Sequence, residues 1–402
     1  MAMKKLAIDG GAPAFRGEIP GWPTWGEPER KNLAAALSEA VWGTLGPRAL
    51  AFAKRYAEYV GARHAIAVNT GTQALELLLR GAGIGRGDEV IVPPYTFVAT
   101  VAAVANVGAT PVFADVDLDT GCIDAASVDR AVTPATRAVI AVHIAGRPCD
   151  IDALLAVARR RSIALFEDAA HAHGSEWRGR RAGSLGDAAA FSFQSSKTLT
   201  GGEGGLIATD DEGLFAGCWQ WHHSGRPLQG AQLIGGDVGL GTNGRMAEWQ
   251  AAILDAQLDR LDAQNEARER GAALLDKALP GLRCIRRPAP DPRVTKNGHF
   301  LYQFRLETGA LRVGRAQFLQ ALNAEGVPAT AGYAPLHRMG MLQCDDFRRL
   351  TGAPFEQRQA LPAAEALCES AVWLPGRALL MDAGALSDLA AAVQKVALAY
   401  QA

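Results

Sequence analysis

Long hydrophobic runs are missing from this sequence. No stretch approaches ~20 consecutive apolar residues, so no membrane-spanning helix is expected. The amino-terminal Met-Ala-Met-Lys-Lys-Leu turns at once to Gly and Pro, without the apolar stretch of a signal peptide. Paired cysteines are missing too. The six present (Cys122, Cys149, Cys218, Cys284, Cys344 and Cys368) stand at wide, irregular intervals, and none form Cys-x-x-Cys. Neither a disulfide framework nor a zinc site is expected, and a reducing, cytoplasmic setting fits. His222 and His223 are neighbours with no acid or Cys at ligand spacing, so no metal is expected there. An excess of either charge is also lacking. The formal net charge is -1, from 41 basic and 42 acidic residues, so neither nucleic acid nor a membrane surface is expected as a partner. Internal repeats and low-complexity tracts are not found.

What is present is length and alternation. The 402 residues suffice for a large core plus a second lobe. Residues 1–45 read as an arm rich in Gly, Pro and Trp, with one helix near 29–40. Trp22 and Trp25 suggest that the arm is packed, since both are costly to leave in water. From His64 onward, short apolar runs alternate with helical patterns. Runs at 64–68, 89–92, 111–114, 138–142 and 163–166 are separated by helices near 72–80, 97–106, 125–131 and 151–161. Continuous apolar strands between helices predict a parallel sheet covered on both faces. Further strands are expected at 188–193 and 206–209, and a long helix at 246–261. The fold class is therefore α/β. Residues 46–265 form the expected large domain and 266–402 a smaller α+β domain, with a strand at 300–306 and helices at 314–325 and 382–400.

Three groups carry candidate chemistry. Phe166-Glu167-Asp168 ends an apolar strand, and in open α/β sheets ligands sit beyond the carboxyl ends of strands. Asp168 also reads as an ordinary helix cap. Lys197 follows a buried strand and precedes the glycine-rich 201–205. Free lysine is neutral only about once in two or three thousand at pH 7. A lysine that links to an aldehyde needs burial to escape that limit. Val68-Asn-Thr-Gly-Thr72 steps from a strand into a helix, where unpaired amides and the helix dipole favour a phosphate. Each signal alone is weak. Together they supply an anion cup, a carboxylate and an amine, the set that a pyridoxal phosphate site needs.

At these residues the chain resembles the DegT/StrS-type sugar and cyclitol aminotransferases of fold-type I. The resemblance rests on Asn69–Thr72, 87–100, 167–174, 183–187, Phe191-Ser-Phe193 with Lys197, and Glu203-Gly-Gly205. It spans the chain from about Leu6 to the C-terminus. It implies a mostly parallel seven-stranded sheet and pyridoxal 5'-phosphate as cofactor. Lys197 would link to the cofactor and shuttle the proton, and Asp168 would hold its pyridine nitrogen. Gly71, Thr72 and Ser192 would bind the phosphate, and Phe97 would stack on the ring. His171 stands where the family often has Gln near the ring hydroxyl; a His can make the same bond but also titrate. His173 reads as structural. Asn243 would reach the phosphate of a neighbouring subunit's site, which implies a homodimer with shared active sites. Gly244 stands where the family often has an aromatic residue. Tyr333 and His337 would lie on the substrate side.

The implied reaction is amino transfer from L-glutamate or L-glutamine to a keto-cyclitol or ketosugar, in secondary metabolism of the aminoglycoside kind. Two alternatives share the fold: a 3-amino-5-hydroxybenzoate synthase-like dehydratase and a nucleotide-ketosugar aminotransferase. A non-catalytic cofactor-binding regulator is a different class. The presence of both Lys197 and Asp168, and the absence of a basic DNA-binding segment, argue against it.

Overall fold

The computed structural model describes residues 5–44, 46–227, 238–279 and 281–402. Met1–Lys4 and Leu45 of the expected arm lie outside them. Helices α1 (Glu27–Ser38) and α2 (Pro47–Val60) lead into the alternating region. There follow β1 (His64–Val68), α3 (Gly71–Gly81), β2 (Glu89–Val92), α4 (Val98–Asn106), β3 (Thr110–Phe113), α5 (Ala125–Ala131), β4 (Thr136–Val142), α6 (Ile151–Arg161) and β5 (Ala164–Asp168). The short β6 (Glu176–Trp177) and β7 (Arg180–Arg181) precede β8 (Ala188–Ser192), β9 (Gly205–Thr209), α7 (Glu212–His222) and α8 (Glu248–Ala278).

Seven strands form one sheet in the order β1-β9-β8-β5-β4-β2-β3. The pairs β2–β3, β2–β4, β4–β5 and β5–β8 are parallel. Strand β9 is antiparallel to both of its neighbours, β1 and β8. That single reversal leaves β1 running in the same direction as β8 and β5. The carboxyl ends of these strands therefore open on one edge of the sheet. Asp168, the last residue of β5, is in register with Val142 of β4 and Ala190 of β8, in the middle of that edge.

The last part of the chain adds β10 (Ile285–Arg286), β11 (Val294–Lys296), β12 (Leu301–Leu306), α9 (Arg315–Ala324), β13 (Thr330–Ala331), α10 (Asp345–Thr351), α11 (Pro362–Ser370), β14 (Ala371–Pro375) and α12 (Ala383–Tyr400). An antiparallel sheet in the order β10-β12-β14-β13 carries a second hydrophobic cluster with α9 and α12. Buried residues from Leu336 to Ala371 pack instead with the cluster around the large sheet.

Helix α8 differs most from expectation. It has 31 residues and runs far beyond Leu261. The expected domain limit at 265 falls inside it. Beyond Leu261 its buried face becomes Asn265, Arg268, Gly271 and Ala272. Polar and small residues hide the apolar period that would reveal the helix. The arm also differs in part. Trp25 is 59% exposed, with the Arg30 guanidinium 4.6 Å from its ring centre, whereas Trp22 is partly buried against the body of the protein.

Helix α2 had no expected counterpart. Pro47 starts it, Gly61 in the left-handed region ends it, and Phe52, Tyr56 and Val60 share its buried face. Its first amides lack helical partners. The buried carboxylate of Glu248 takes two of them, from Arg48 at 2.8 Å and Ala49 at 3.0 Å. We expect Glu248→Ala to destabilise the protein by about 1–3 kcal/mol, because it strands those amides. Thermal melts of the purified variant test this; a wild-type melting temperature would exclude the cap.

Candidate active site

A cavity of about 640 Å³ opens at the carboxyl edge of the large sheet. Its walls include Gly71, Thr72, Phe97, Asp168, His171, Ser192, Lys197 and Tyr333. Eight of the ten expected site residues are thus brought together from segments more than 250 residues apart.

At one end, Thr70 caps α3 by accepting a hydrogen bond from the Gln73 amide at 3.1 Å. The amides of Gly71 and Thr72, in the first turn, remain available to an anion. Space there is tight. A Cβ on Gly71 would lie 2.5 Å from the Ser192 Cβ, so a side chain at 71 would close the cup against β8.

In the middle, Asp168 is buried. Its Oδ2 accepts from the Thr100 hydroxyl at 2.8 Å and its Oδ1 from the Ala170 amide at 3.2 Å. Thr96 Oγ1 lies 3.0 Å from Thr100 Oγ1 and extends the chain of hydroxyls. Burial raises the Asp168 carboxyl above its usual range, against the opposing pull of Thr100, Ala170 and the Lys197 charge. Such a carboxylate gains most from a cation placed beside it. Its neighbour Glu167 points to the other face, as the period of a strand requires. Glu167 accepts from His143 at 2.8 Å and from the amides of Gly183, Leu185 and Gly186. Burial pushes its carboxyl up, but His143 and these amides outweigh that and hold it below its usual value. Glu167 therefore anchors the 183–186 turn while Asp168 faces the cavity.

Lys197 stands on a turn built by Gln194. The Gln194 carbonyl accepts from the Lys197 amide at 2.9 Å, and its side-chain oxygen accepts from the Ser196 amide at 2.9 Å. The Trp22 indole N–H donates to the Lys197 carbonyl at 3.0 Å. The arm thus reaches the edge of the site. The Lys197 ammonium lies 4.7 Å from the centre of the Phe300 ring. Burial lowers the amine from 10.5 to about 8, although Asp168 pulls the other way.

The imidazole of His171 lies 4.1 Å from the Phe300 ring centre, and its Nδ1 is buried without a partner among the described residues. Burial, with the nearby Lys197 and His173, holds His171 well below the usual histidine range. It is therefore neutral at physiological pH, the form that can make a hydrogen bond from either ring nitrogen. His173 is structural: Tyr56 Oη lies 2.7 Å from its Nδ1, and its Nε2 donates to the Ser192 carbonyl at 2.9 Å. Phe97 is 56% exposed on the open side. Tyr333 packs edge-on to Trp373 at 4.7 Å.

Two expected residues lie elsewhere. His337 does not line the cavity. Its ring packs edge-on to Phe113, and its Nε2 bonds Glu365 Oε1 at 3.2 Å. The cavity wall on that side is formed instead by Tyr333 of the same segment. Asn243 is exposed and lies on the segment that follows the edge of β1. Gly244 in that segment is held tightly, since a Cβ there would lie 2.9 Å from both Gln73 and Leu77 atoms of α3. Thr100, Thr96, Gln194, Phe300 and Trp373 were not foreseen as site residues, whereas the arm carrying Trp22 was expected to help cover the mouth of the site or the subunit interface. Only the spacing of Thr96 and Thr100, one helical turn apart, offered a signal, and it is shared by many helix starts.

A model of the DegT/DnrJ/EryC1/StrS aminotransferase family matches residues 24–394. An L-glutamine:2-deoxy-scyllo-inosose aminotransferase of Streptoalloteichus tenebrarius is 38% identical over 416 residues, covering 97% of this chain and 97% of the relative. A 3-amino-5-hydroxybenzoate synthase of Amycolatopsis mediterranei is 36% identical over 370 residues, covering 90% and 93%. The solved structure of a 3-amino-5-hydroxybenzoic acid synthase matches with a TM-score of 0.87 at 34% identity, covering 96% of this chain and 99% of that one.

Two outcomes follow from the electrostatics. Thr100→Val removes the hydroxyl donated to Asp168 and leaves a buried carboxylate oxygen unpaired. We expect a loss of about 1–3 kcal/mol in stability, read by thermal melting, and an unchanged melting temperature would contradict it. Lys197 has a lowered amine, so folding without any bound group is opposed most below about pH 8, where the folded state must bury the charge. The penalty fades as pH rises from about 8 to 10.5. Ligand-free Lys197→Met should therefore be more stable than wild type at pH 7, by at most ~3 kcal/mol. The gap should close toward pH 10. Denaturation curves across that range decide it; a gap that ignores pH would refute the buried charge.

Proposed function

The chain belongs to the DegT/DnrJ/EryC1/StrS aminotransferase family, and from that premise we propose that it moves an amino group from L-glutamine or L-glutamate to a keto-cyclitol or ketosugar, with pyridoxal 5'-phosphate as cofactor. One observation carries the reading: a single cavity holds both a buried carboxylate and a lysine whose amine is lowered to about 8. The residues present suit the cofactor. The tight Gly71–Ser192 cup and the first turn of α3 suit a phosphate, the hydroxyl-supported Asp168 suits a pyridinium nitrogen, and Lys197 suits an aldehyde. The unpartnered His171 Nδ1 suits a ring hydroxyl. When bound, pyridoxal phosphate supplies an aldehyde that links to amines and a ring that draws electrons from the bond to be broken.

The chain's own groups do the rest. Asp168 holds a positive charge at the far end of the site, in a setting dry enough to strengthen that interaction. At pH 7 a Lys197 amine of about 8 is neutral in about one molecule in ten, against one in thousands for free lysine. Its Nζ takes the proton from the donor's α-carbon and delivers it nearby. The same steps, reversed, serve the ketone, so ping-pong kinetics are expected. Phe97 offers its exposed ring as a stacking face, and Tyr333 with Trp373 borders the space left for the acceptor.

L-glutamine and a keto-cyclitol are favoured because the relative from Streptoalloteichus tenebrarius is named for both. A cytoplasmic homodimer is part of the proposal. No helix among the described residues is long and apolar enough to cross a membrane. Exposed Leu37, Val41, Trp42 and Leu240 offer apolar surface for a second copy, to which Asn243 would contribute. A 3-amino-5-hydroxybenzoate synthase activity is the second reading, favoured by the extent of the structural match. An aromatic product from a cyclic ketone substrate would decide for it.

The first test is the visible spectrum of the protein mixed with pyridoxal phosphate, before and after L-glutamine. A yellow band that bleaches supports the reading, and no band at all removes it. Lys197→Ala should abolish both the band and turnover. Asp168→Asn should keep some cofactor yet lose about a hundredfold or more in turnover. Wild-type rates in either variant would sink the assignment of that residue.

A further inference from the structure

A second chamber of about 350 Å³ adjoins the first, and Ser196 and Phe300 line both. Trp22 of the arm, Thr198, Arg268 of α8 and Arg377 complete its wall. Arg268 is 1% exposed. Among the described residues its only side-chain hydrogen bond runs from Nη1 to Asn265 Oδ1 at 2.9 Å. Its Nε is buried without a partner, and so is the Thr198 hydroxyl. Among the described residues no acidic side chain offsets the burial of the guanidinium, which is lowered only to about 10 and so stays charged at neutral pH. The Trp22 ring, centred 5.0 Å away, offsets part of the cost through its π-face. A neutral partner would satisfy only the free N–H and hydroxyl. It cannot neutralise a buried cation.

We infer that this chamber is an anion site that takes the carboxylate of the amino-acid donor, held by Arg268 and Thr198 with Arg377 at the rim. The free edge of Arg268, Nε with Nη2, is the planar fork that matches two carboxylate oxygens. An uncharged keto-cyclitol brings no such group, whereas every amino-acid donor does. The chamber adjoins the segment that carries Lys197. Trp22, in its wall, is bonded to the Lys197 carbonyl, and Phe300 faces both the chamber and the Lys197 ammonium. The inference rests on the aminotransfer reading for the identity of the anion.

The probe is glutarate, an unreactive dicarboxylate, titrated into the full-length protein loaded with pyridoxal phosphate. The readouts are tryptophan fluorescence and thermal shift. Wild type should respond saturably. Arg268→Met should weaken the response about thirtyfold or more, with partial recovery in Arg268→Lys. Thr198→Val and Arg377→Gln, milder changes, should each weaken it several-fold, which covers the case that Arg268→Met does not fold. No saturable response in wild type, or one equal in all variants, would overturn the anion site. In parallel, bleaching by L-glutamine alone is titrated in the same variants. A raised half-saturation for L-glutamine with an unchanged KM for the ketone supports the donor assignment. Bleaching with wild-type half-saturation in the Arg268 and Thr198 variants overturns it while leaving aminotransfer intact. If no donor bleaches wild type, aminotransfer fails, and the glutarate arm still reads the chamber by itself.

Discussion

The burial of an amine and a carboxylate at one edge of an apolar sheet governs the architecture around it. Either charge alone is costly away from water. The fold surrounds Asp168 with a hydroxyl and an amide, and leaves one side open toward the cavity. Lys197 receives no such neutraliser at contact distance among the described residues and gives up much of its basicity instead. A lysine made reactive in this way is a liability to stability and an asset to chemistry, the usual relation at active sites.

Much of the surrounding structure exists to place these two groups. The antiparallel β9 lets β1 and β8 point the same way, so the helix start after β1 and the turn after β8 face one another. Glu167 ties the turn at 183–186 to the centre of the sheet through three amides, while the next residue faces the site. His173 bonds Tyr56 and Ser192 and so links α2 to the cup. Burial holds it at about 3, so it keeps one tautomer through the physiological range. The arm closes the arrangement from outside, with Trp22 on the Lys197 carbonyl and Gln257 of α8 donating to Glu29 and the Thr24 carbonyl.

Legibility in the sequence followed the strength of the local signal. Strands β1, β2, β4 and β8 each contain an apolar run of three to five residues, and their positions were evident. The helices between them carry side-chain caps such as Thr70, Asp124 and Asp150. The second half of α8 was not evident, because Asn265, Arg268 and Gly271 bury a polar and small face that no apolar period marks. Helix α2 was missed although Pro47 and Gly61 bracket it, since Gly and Pro crowd the whole preceding region. At the site, Lys197, Asp168 and the Gly71–Thr72 step could be found by their order and setting. Thr100 and Phe300 could not. A threonine in a first helical turn and an aromatic residue before a strand are commonplace, and only the folded chain brings them to Asp168 and Lys197. The packing of His337 was equally illegible, since its partners Phe113 and Glu365 are distant in sequence.

The sequence by itself determined the class of fold, the strand ends at which chemistry is possible, and the residue types able to supply it. These are local properties: hydrophobic period, caps and the order of a few functional side chains. The tertiary structure alone decided how those side chains behave. The lowered amine of Lys197, the neutrality of His171 and the unneutralised charge of Arg268 all depend on how much protein surrounds each group and which partners it lacks. Burial and partnership are sums over segments far apart in the chain, so no local pattern encodes them.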